Sequence, residues 1–482
     1  MKPIRAWSRA GVAPLTPRGR QRRLLCRWSL AGGLLAAQAA TAQYADAPAP
    51  AASSPAATPE SFPPDTTRLA LLMGNQLYPP PFDLPPIPKN VRDLHGALER
   101  WGFTVTNALD ADAAQARVAL DSFSRQVQAA PPDAVVLFYF AGHGLQVEAE
   151  NVLVAAGVNP SARSDVLMKS SMLLGGDVVG RLPARAGGLT IAVIDACRTT
   201  IRAALAASDG LNQVEAPPGC LIAFSTAAGK PAIAPAVETQ NTFYTASLVK
   251  LLASSGGDTS FSDLFRLVKL DVQRTMQNHP LEPIRQLAQS PFIAENTQIS
   301  VPLAPRHRTA PSRRFSTESE EGDWRELQAA LWPPDVVKLA DAYLQHYPDS
   351  RFVAGAQVAR HGAAEAAAIL QRNDVRLYRR SFDARPELGA DYHADLLKAA
   401  RGDKDAAARI GRRWRTDQAS GAELSRYEGW MQFAAELGNG IASYELALHY
   451  RRSAQPQLAA RWEARARELG YTPPPTLDHV RK

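Results

Sequence analysis

Residues 134–144 read Ala-Val-Val-Leu-Phe-Tyr-Phe-Ala-Gly-His-Gly, an apolar run that ends in a histidine between two glycines. Residues 189–198 read Leu-Thr-Ile-Ala-Val-Ile-Asp-Ala-Cys-Arg, a second apolar run that ends in a cysteine. Both runs are short and rich in β-branched or aromatic residues, which predicts two buried strands of a parallel sheet. Because reactive groups of open α/β sheets lie where strands end in loops, we expect His143 and Cys197 to meet there.

An imidazole beside a thiol is the pair that a cysteine hydrolase requires, since the thiolate is the nucleophile and the imidazole takes its proton. The ordinary pKa of histidine, about 6.5, suits a base that works near neutral pH. Taken alone, Cys197 also fits an inert core thiol, and His143 fits a polar strand end. Their placement after matching strands favours the catalytic interpretation, and Gly142 and Gly144 favour close approach of a substrate to the backbone.

The histidine precedes the cysteine by about 50 residues, the order found in caspases and the reverse of the papain order. Further stretches follow in a matching sequence, and these are 68–75, 90–105, 220–228 and 243–248. Together they make residues 67–301 resemble the caspase and metacaspase superfamily, in particular its bacterial caspase-like branch. The alternation of apolar runs with helical periods independently predicts an α/β fold, a mainly parallel sheet with helices on both faces.

The resemblance implies a cysteine-type endopeptidase in which His143 is the general base and Cys197 the nucleophile. It also implies that the backbone amides of Gly144 and Cys197 form the oxyanion hole. The acids at the metacaspase motif positions, Asp93 and Asp195, would line a pocket for Arg or Lys before the cleaved bond. The alternatives left open are a helix N-terminal role for Asp93 and a plain structural role for Asp195.

No third catalytic residue can be assigned from the sequence, and no cofactor is predicted. Some metacaspases require calcium, but no acidic cluster here has the spacing of calcium ligands. The formal charge of +7 comes from the first 42 residues, so the rest of the chain is nearly neutral. No basic stripe with interleaved aromatic residues is present, and nucleic acid is not an expected partner.

Residues 1–42 resemble an export signal, with a basic segment, a short apolar stretch and Ala40-Thr-Ala42 as the cleavage site. The basic residues are Lys2, Arg5, Arg9, Arg18, Arg20, Arg22, Arg23 and Arg27, and no acid accompanies them. We therefore predict an exported protein, periplasmic or secreted, with no membrane span in the mature chain. Arg22-Arg23 leaves the twin-arginine route open beside the general one, and a disordered basic tail is the alternative.

Residues 43–66 and 302–321 are predicted linkers, because Ala, Pro, Ser and Arg dominate them. Residues 322–482 carry helical periods and no strand pattern. Gly402, Gly438 and Gly470 recur at similar spacing within similar Ala-rich contexts, so the region resembles tetratricopeptide or Sel-one-like helical repeats.

Helical repeats commonly present a surface for a protein partner. The sequence therefore predicts an exported caspase-like peptidase that acts on a protein or peptide substrate and has a possible protein partner on its repeats. Two other hypotheses stay open: a catalytically silent or latent scaffold that binds partners through the repeats, and an enzyme that cleaves another acyl bond, such as a glutamine amide.

Overall fold

A computed structural model describes residues 66–185, 187–198, 211–228, 232–233, 235–305, 317–415 and 421–474, and only the backbone at 197–198 and 421–423. The predicted signal peptide, residues 1–42, lies outside the described residues. So does the predicted linker 43–66, except for its last residue. No helix in the described ranges is both long enough and apolar enough to cross a membrane.

Eight strands in the described part of the chain form one sheet. They are β1 (Arg68–Gly74), β2 (Thr104–Leu109), β3 (Val135–Val147), β4 (Glu150–Leu153), β5 (Met172–Leu173), β6 (Leu189–Arg198), β7 (Cys220–Phe224) and β8 (Phe292–Asn296). The main order is β2-β1-β3-β6-β7-β8, with β4 paired to β3 and β5 to β4. The first five strands of this order run parallel, whereas β4, β5 and β8 pair antiparallel, which confirms the mainly parallel sheet.

Helices flank this sheet, and a helical region follows it in the chain. The flanking helices are α1 (Ile87–Glu99), α2 (Ala113–Ala129), α3 (Ser164–Lys169), α4 (Phe243–Ser254), α5 (Phe261–Gln277) and α6 (Glu282–Gln286). One buried core packs α1, α4 and α5 on one face of the sheet, and a second packs α2 on the other. Helices on both faces are therefore confirmed.

Local sequence explains where these helices begin. In α1, Val91, Leu94 and Leu98 recur at a helical period and are buried against the sheet. In α2, Asp112 accepts hydrogen bonds from the first backbone amides, and Gln115 reaches back to the amide of Asp112. This capping box satisfies donors that would otherwise lack partners.

The two central strands are longer than their apolar runs. β3 continues through the glycines and His143 to Val147, and β6 continues through Cys197 to Arg198. The expectation that both residues lie past the strand ends is therefore wrong. The extension of β3 stays paired because β4 folds back on it, with Gly144 opposite Leu153. The glycines interrupt the apolar pattern without interrupting the hydrogen-bonded ladder.

The C-terminal region is helical, as the sequence predicts. Its helices are α7 (Glu318–Ala329), α8 (Pro333–His346), α9 (Val353–Leu370), α10 (Ala390–Ala399), α11 (Lys404–Arg413), α12 (Gly421–Glu436), α13 (Gly440–Arg452) and α14 (Pro456–Glu468). Because α7 begins at Glu318, the last residues of the stretch predicted as a linker, 302–321, are helical. Gly402, Gly438 and Gly470 each follow a helix and have positive φ angles of 77°, 102° and 74°, a backbone conformation that favours glycine. The repeat architecture stays a prediction.

The helical region packs directly on the sheet domain through buried charges. Arg266 of α5 pairs with Glu295 of β8 at 2.8 Å and with Asp403 at 2.9 Å. Lys398 of α10 also pairs with Glu295 at 2.8 Å, and Glu295 is only 2% exposed. The two nearby cations hold the pKa of Glu295 below its ordinary value despite its burial. These contacts join both regions into one folded unit.

Candidate active site

The register of the sheet pairs the two residues that the sequence predicts to be catalytic. In the parallel pair β3 and β6, His143 lies opposite Cys197, and Ala141 lies opposite Asp195. Because successive side chains of a strand alternate between faces, positions 143 and 197 belong to one face of the sheet. The backbone therefore brings an imidazole-bearing and a thiol-bearing position together on adjacent strands.

His143 is buried, and its two ring nitrogens have different surroundings. Nε2 lies 2.7 Å from the carbonyl oxygen of Phe82, which can only accept a hydrogen bond, so Nε2 carries the proton. Nδ1 is buried and has no hydrogen-bond partner among the described residues. Burial lowers the pKa of His143, and the Phe82 carbonyl opposes this only in part. The ring is thus a neutral base with its lone pair at Nδ1.

Tyr78 fixes the strand around this base. Its hydroxyl accepts the backbone N–H of His143 at 3.1 Å and donates to the carbonyl of Val154 at 3.1 Å. Its ring meets the imidazole edge-on, with centroids 4.6 Å apart. A Cβ on Gly142 would lie 2.6 Å from the Tyr78 hydroxyl. Gly142 is therefore needed for the hydroxyl to reach the main chain at His143.

The absence of a side chain at Gly144 allows Ala196 of β6 to pack closely against β3. A Cβ at this position would lie 2.8 Å from the Cβ of Ala196 on β6 and 3.5 Å from Leu211. The expectation that these glycines admit a substrate is therefore not needed to explain them, because close packing within the protein already requires both. The backbone of Gly144 lies opposite Arg198, one residue beyond Cys197, and its role in an oxyanion hole stays a prediction.

Asp195 lies under this site in a cluster of hydroxyl groups. Its Oδ2 accepts hydrogen bonds from Thr242 at 2.5 Å, Thr245 at 2.6 Å and Tyr139 at 3.4 Å. The amide of Asn90 approaches the same oxygen at 3.5 Å and donates to Thr242 at 3.0 Å. Since Thr242 is the N-cap of α4, the carboxylate also anchors the start of that helix to β6.

The charge of Asp195 has no cationic partner among the described residues. The side chain is 5% exposed, and burial raises the pKa of Asp195 above its ordinary value, although the hydroxyl donors oppose this. Four donors converge on Oδ2, so the carboxylate is oriented by neutral groups only. A buried carboxylate of this kind attracts a guanidinium or ammonium group.

Asp93 occupies a different environment on α1. Its Oδ2 lies 2.6 Å from Nζ of Lys89 and accepts a hydrogen bond from Asn241 at 2.8 Å. Although burial raises its pKa, these hydrogen bonds outweigh the effect and the pKa of Asp93 is lowered. Asn241 precedes Thr242, so the two acids contact neighbouring residues of one segment. Asp93, however, already has a cation.

Cys220 is buried at the opposite end of the sheet. It pairs with Thr190 at the start of β6, seven positions before Cys197, and strand geometry separates these positions by about 23 Å. A disulfide requires Cα atoms within about 7 Å, so Cys220 and Cys197 cannot pair. Burial raises the pKa of the Cys220 thiol to about 11. Cys220 is therefore expected to be an inert thiol.

No group of three or more His, Cys, Asp or Glu residues in the described ranges could hold a metal ion. The absence of a calcium site stays a prediction from the sequence.

Several residues of the site could not be identified from the sequence. Phe82 contributes a backbone carbonyl from a Pro-rich loop, and a backbone group leaves no side-chain signature. Asn90, Tyr139, Thr242 and Thr245 converge on Asp195 from α1, β3 and α4, and only the folded chain brings them together. Only Tyr139 could be linked to the site from the sequence, because it lies four residues before His143 and strand geometry places both side chains on the same face of β3.

A crystal structure of caspase-1 from Spodoptera frugiperda matches with a TM-score of 0.39 and 17% identity, over 52% of this chain and 94% of that chain. No curated protein matches this sequence. Residues 67–300 match the family model described as the caspase domain. The region that carries β1 to β8 is therefore similar to the caspase domain, which supports a cysteine-type peptidase.

Proposed function

We propose that the protein is an exported cysteine endopeptidase that cleaves after Arg or Lys through His143 and Cys197. The observation that carries this proposal is the register that pairs His143 with Cys197, together with the buried Nδ1 of His143, which lacks a hydrogen-bond partner among the side chains that the structure describes. A base whose other nitrogen is held by the Phe82 carbonyl is oriented and neutral, as general-base catalysis requires.

In the proposed reaction, Nδ1 of His143 takes the thiol proton of Cys197, and the thiolate attacks the peptide carbonyl carbon. The backbone amides of Gly144 and Cys197 would bind the oxyanion. In other enzymes, removal of one such donor lowers transition-state stabilisation by about 3–4 kcal/mol. The tetrahedral intermediate breaks its C–N bond, and His143 returns the proton to the leaving amine. Water, deprotonated by His143, then hydrolyses the thioester and releases the carboxyl product and the thiol.

Asp195 is the residue that we propose for recognition of the basic side chain. Its charge is buried and lacks a cation in the described part of the chain, whereas Asp93 is neutralised by Lys89 at 2.6 Å. An incoming guanidinium would supply the missing positive charge through charge-assisted hydrogen bonds. Asp93 would act at the edge of the pocket, where Asn241 links it to the segment that holds Asp195.

Export is supported by the basic, acid-free N-terminus and the small residues at 40–42. The helical region is proposed to bind a protein partner or the substrate.

The test uses the full chain and a Cys197→Ala variant on fluorogenic peptides that end in Arg, Lys, Asp or Gln, with and without Ca²⁺ and a reductant. We expect cleavage after Arg or Lys that is lost in the variant. Cleavage after Asp would retain the catalytic pair and refute the pocket assignment, and cleavage at Gln amides would indicate the other acyl chemistry. Absence of turnover, with Cys197 also unreactive to iodoacetamide, would refute the peptidase and favour a binding scaffold.

A further inference from the structure

Two buried amide side chains connect the sheet domain to the helical region. Gln213, 6% exposed, donates from Nε2 to the carbonyls of Gly438 at 3.2 Å and Leu469 at 2.9 Å. Its Oε1 accepts the backbone N–H of Gly440 at 2.7 Å. All three contacts go to backbone groups of two turns in the helical region. The amide of Gln213 is therefore satisfied only when those turns are docked.

Asn212 makes the adjoining contacts. Its side chain donates to the carbonyl of Thr472 at 2.8 Å and accepts the backbone N–H of the same residue at 2.9 Å. Its Nδ2 also lies 3.2 Å from the carbonyl of Ala149, and its backbone exchanges two hydrogen bonds with the side chain of Asn151. Asn212 thus joins the turn after α14 to the β3–β4 hairpin.

This hairpin carries the catalytic strand. β3 runs from His143 and Gly144 into the turn at Ala149, and β4 returns with Asn151. Leu211, next to Asn212, lies 3.5 Å from the place that a Cβ on Gly144 would occupy. The network therefore reaches the residue that we propose for the oxyanion hole by direct packing.

The same turn of the helical region contacts the chain after β7. A Cβ on Gly470 would lie 2.4 Å from the Cβ of Ala228, and Gly470 has a φ of 74°. Only glycine allows the turn to adopt this conformation and to approach Ala228 this closely. The turn at residues 469–472 therefore packs against the segments beside both β3 and β7.

We propose that Gln213 and Asn212 are positioning residues through which the helical region holds the active-site strands in their catalytic geometry. The proposal rests on the proposed peptidase function for its activity readout. Displacement of a catalytic group by about 1 Å can lower a rate about 100-fold. The helical region is on this view part of the enzyme, and its undocking lowers activity without changing a catalytic side chain.

The experiment compares the full wild-type chain with Gln213→Ala and Gln213→Glu. Gln457→Ala is the matched control, because Gln457 is exposed on α14. Cys197→Ala reports alkylation at the other cysteines. For each chain, kcat and KM on an Arg peptide are measured from pH 5 to pH 8, together with the rate of iodoacetamide alkylation at Cys197.

We expect Gln213→Ala to lower kcat about 10- to 100-fold with little change in KM, and to slow alkylation of Cys197, while Gln457→Ala matches the wild type. In Gln213→Glu, the carboxylate cannot donate to the carbonyls at 438 and 469. Its activity relative to wild type should rise as the pH falls, because the protonated acid regains one donor. Because kcat and the alkylation rate are taken per folded molecule, a loss of stability alone would change neither.

Equal kcat and equal alkylation in Gln213→Ala and the wild type would overturn the proposal. If Gln213→Ala does not fold, the pH dependence of kcat per folded molecule in Gln213→Glu decides, and a flat ratio to wild type overturns the proposal. If the wild type does not hydrolyse the Arg peptide, kcat gives no readout and alkylation alone decides: a slower rate at Cys197 in the variants supports the positioning role, and an equal rate overturns it.

Discussion

Replacement of Asp195 by Asn removes one negative charge from the proposed pocket and keeps the shape of the side chain. In the wild type, Thr242, Thr245 and Tyr139 donate hydrogen bonds to Oδ2 of Asp195. The oxygen of the Asn amide can still accept these hydrogen bonds. What is lost is the charge-assisted pairing with a basic side chain of the substrate. Loss of one partner of a buried charge pair costs about 2–5 kcal/mol, which corresponds to about 30- to 5,000-fold in kcat/KM on Arg and Lys peptides.

The same substitution should not destabilise the protein near neutral pH. Burial raises the pKa of Asp195 above its ordinary value of 3.8, so the folded state favours the neutral form more than the unfolded state does. The ionised group therefore lowers stability at neutral pH, and this effect disappears as the pH falls and the carboxyl becomes protonated. We expect Asp195→Asn to unfold at the same or a higher urea concentration at pH 7, with a smaller difference at pH 4.

The assay measures kcat/KM on matched peptides ending in Arg, Lys and citrulline, and the control is Asp93→Asn. Citrulline has nearly the shape of Arg without its charge, so wild type should prefer Arg strongly and Asp195→Asn should lose that preference. Asp93→Asn should alter it less, because Lys89 already neutralises Asp93. An unchanged Arg preference in a folded Asp195→Asn protein would refute the assignment of Asp195 to recognition.

Further predictions concern His143, Tyr78, Gly144 and Cys220. Burial lowers the pKa of His143 from 6.5, so the acidic limb of kcat/KM should have its midpoint below pH 6.5, and a midpoint above pH 6.5 would contradict the buried neutral base. The free energy of unfolding should also fall as the pH drops below 6.5, since the unfolded chain binds the proton more readily. Tyr78→Phe leaves the His143 N–H without its acceptor and should lower the free energy of unfolding by about 1–3 kcal/mol, as measured in urea. Gly144→Ala places a Cβ 2.8 Å from that of Ala196 and should abolish most peptide hydrolysis, whereas retained hydrolysis would argue against close packing of β3 on β6 there. Cys220→Ala should leave kcat unchanged, because this thiol is buried and has a pKa of about 11, and a loss of activity without unfolding would contradict its inert role.

The central strands could be predicted from the sequence because parallel strands buried on both faces read as continuous apolar runs. Their ends could not, because Gly142 and Gly144 contribute no apolar side chain and yet remain in the ladder. The local sequence does not reveal β8 either. It is a five-residue strand that includes Glu295 and Asn296, and its place in the sheet depends on antiparallel pairing with β7, which a local pattern does not reveal.

Some residues of the site could likewise be predicted from the sequence and others could not. His143 and Cys197 are visible in the sequence because each follows a strong apolar run, and Asp195 is visible because it alternates with Cys197. The Phe82 carbonyl and the hydroxyl groups around Asp195 are supplied by tertiary structure. From the sequence, Asp93 and Asp195 are both predicted to line the pocket for a basic side chain. In the structure, Lys89, one helical turn before Asp93, neutralises Asp93, and no described cation neutralises Asp195.

The helical region also covers the open edge of β8, and this links folding to the active site. β8 ends the sheet, so the outward backbone groups of its residues have no strand to pair with. Side chains of α11 replace the missing strand: Lys404 donates to the carbonyl of Ile293 at 2.7 Å, Arg409 donates to the carbonyl of Glu295 at 3.0 Å, and Asp405 accepts the amide of Glu295 at 3.1 Å. An uncovered edge promotes pairing with other chains. The turn between α12 and α13 donates from Asn439 to Asp405 of α11 at 3.0 Å and also binds Gln213. The contact that protects the sheet edge is therefore continuous with the contact that supports β3, the strand that carries His143. A perturbation that loosened the helical region would therefore expose β8 and displace the segment beside Gly144 together, so self-association and loss of activity should appear at the same denaturant concentration.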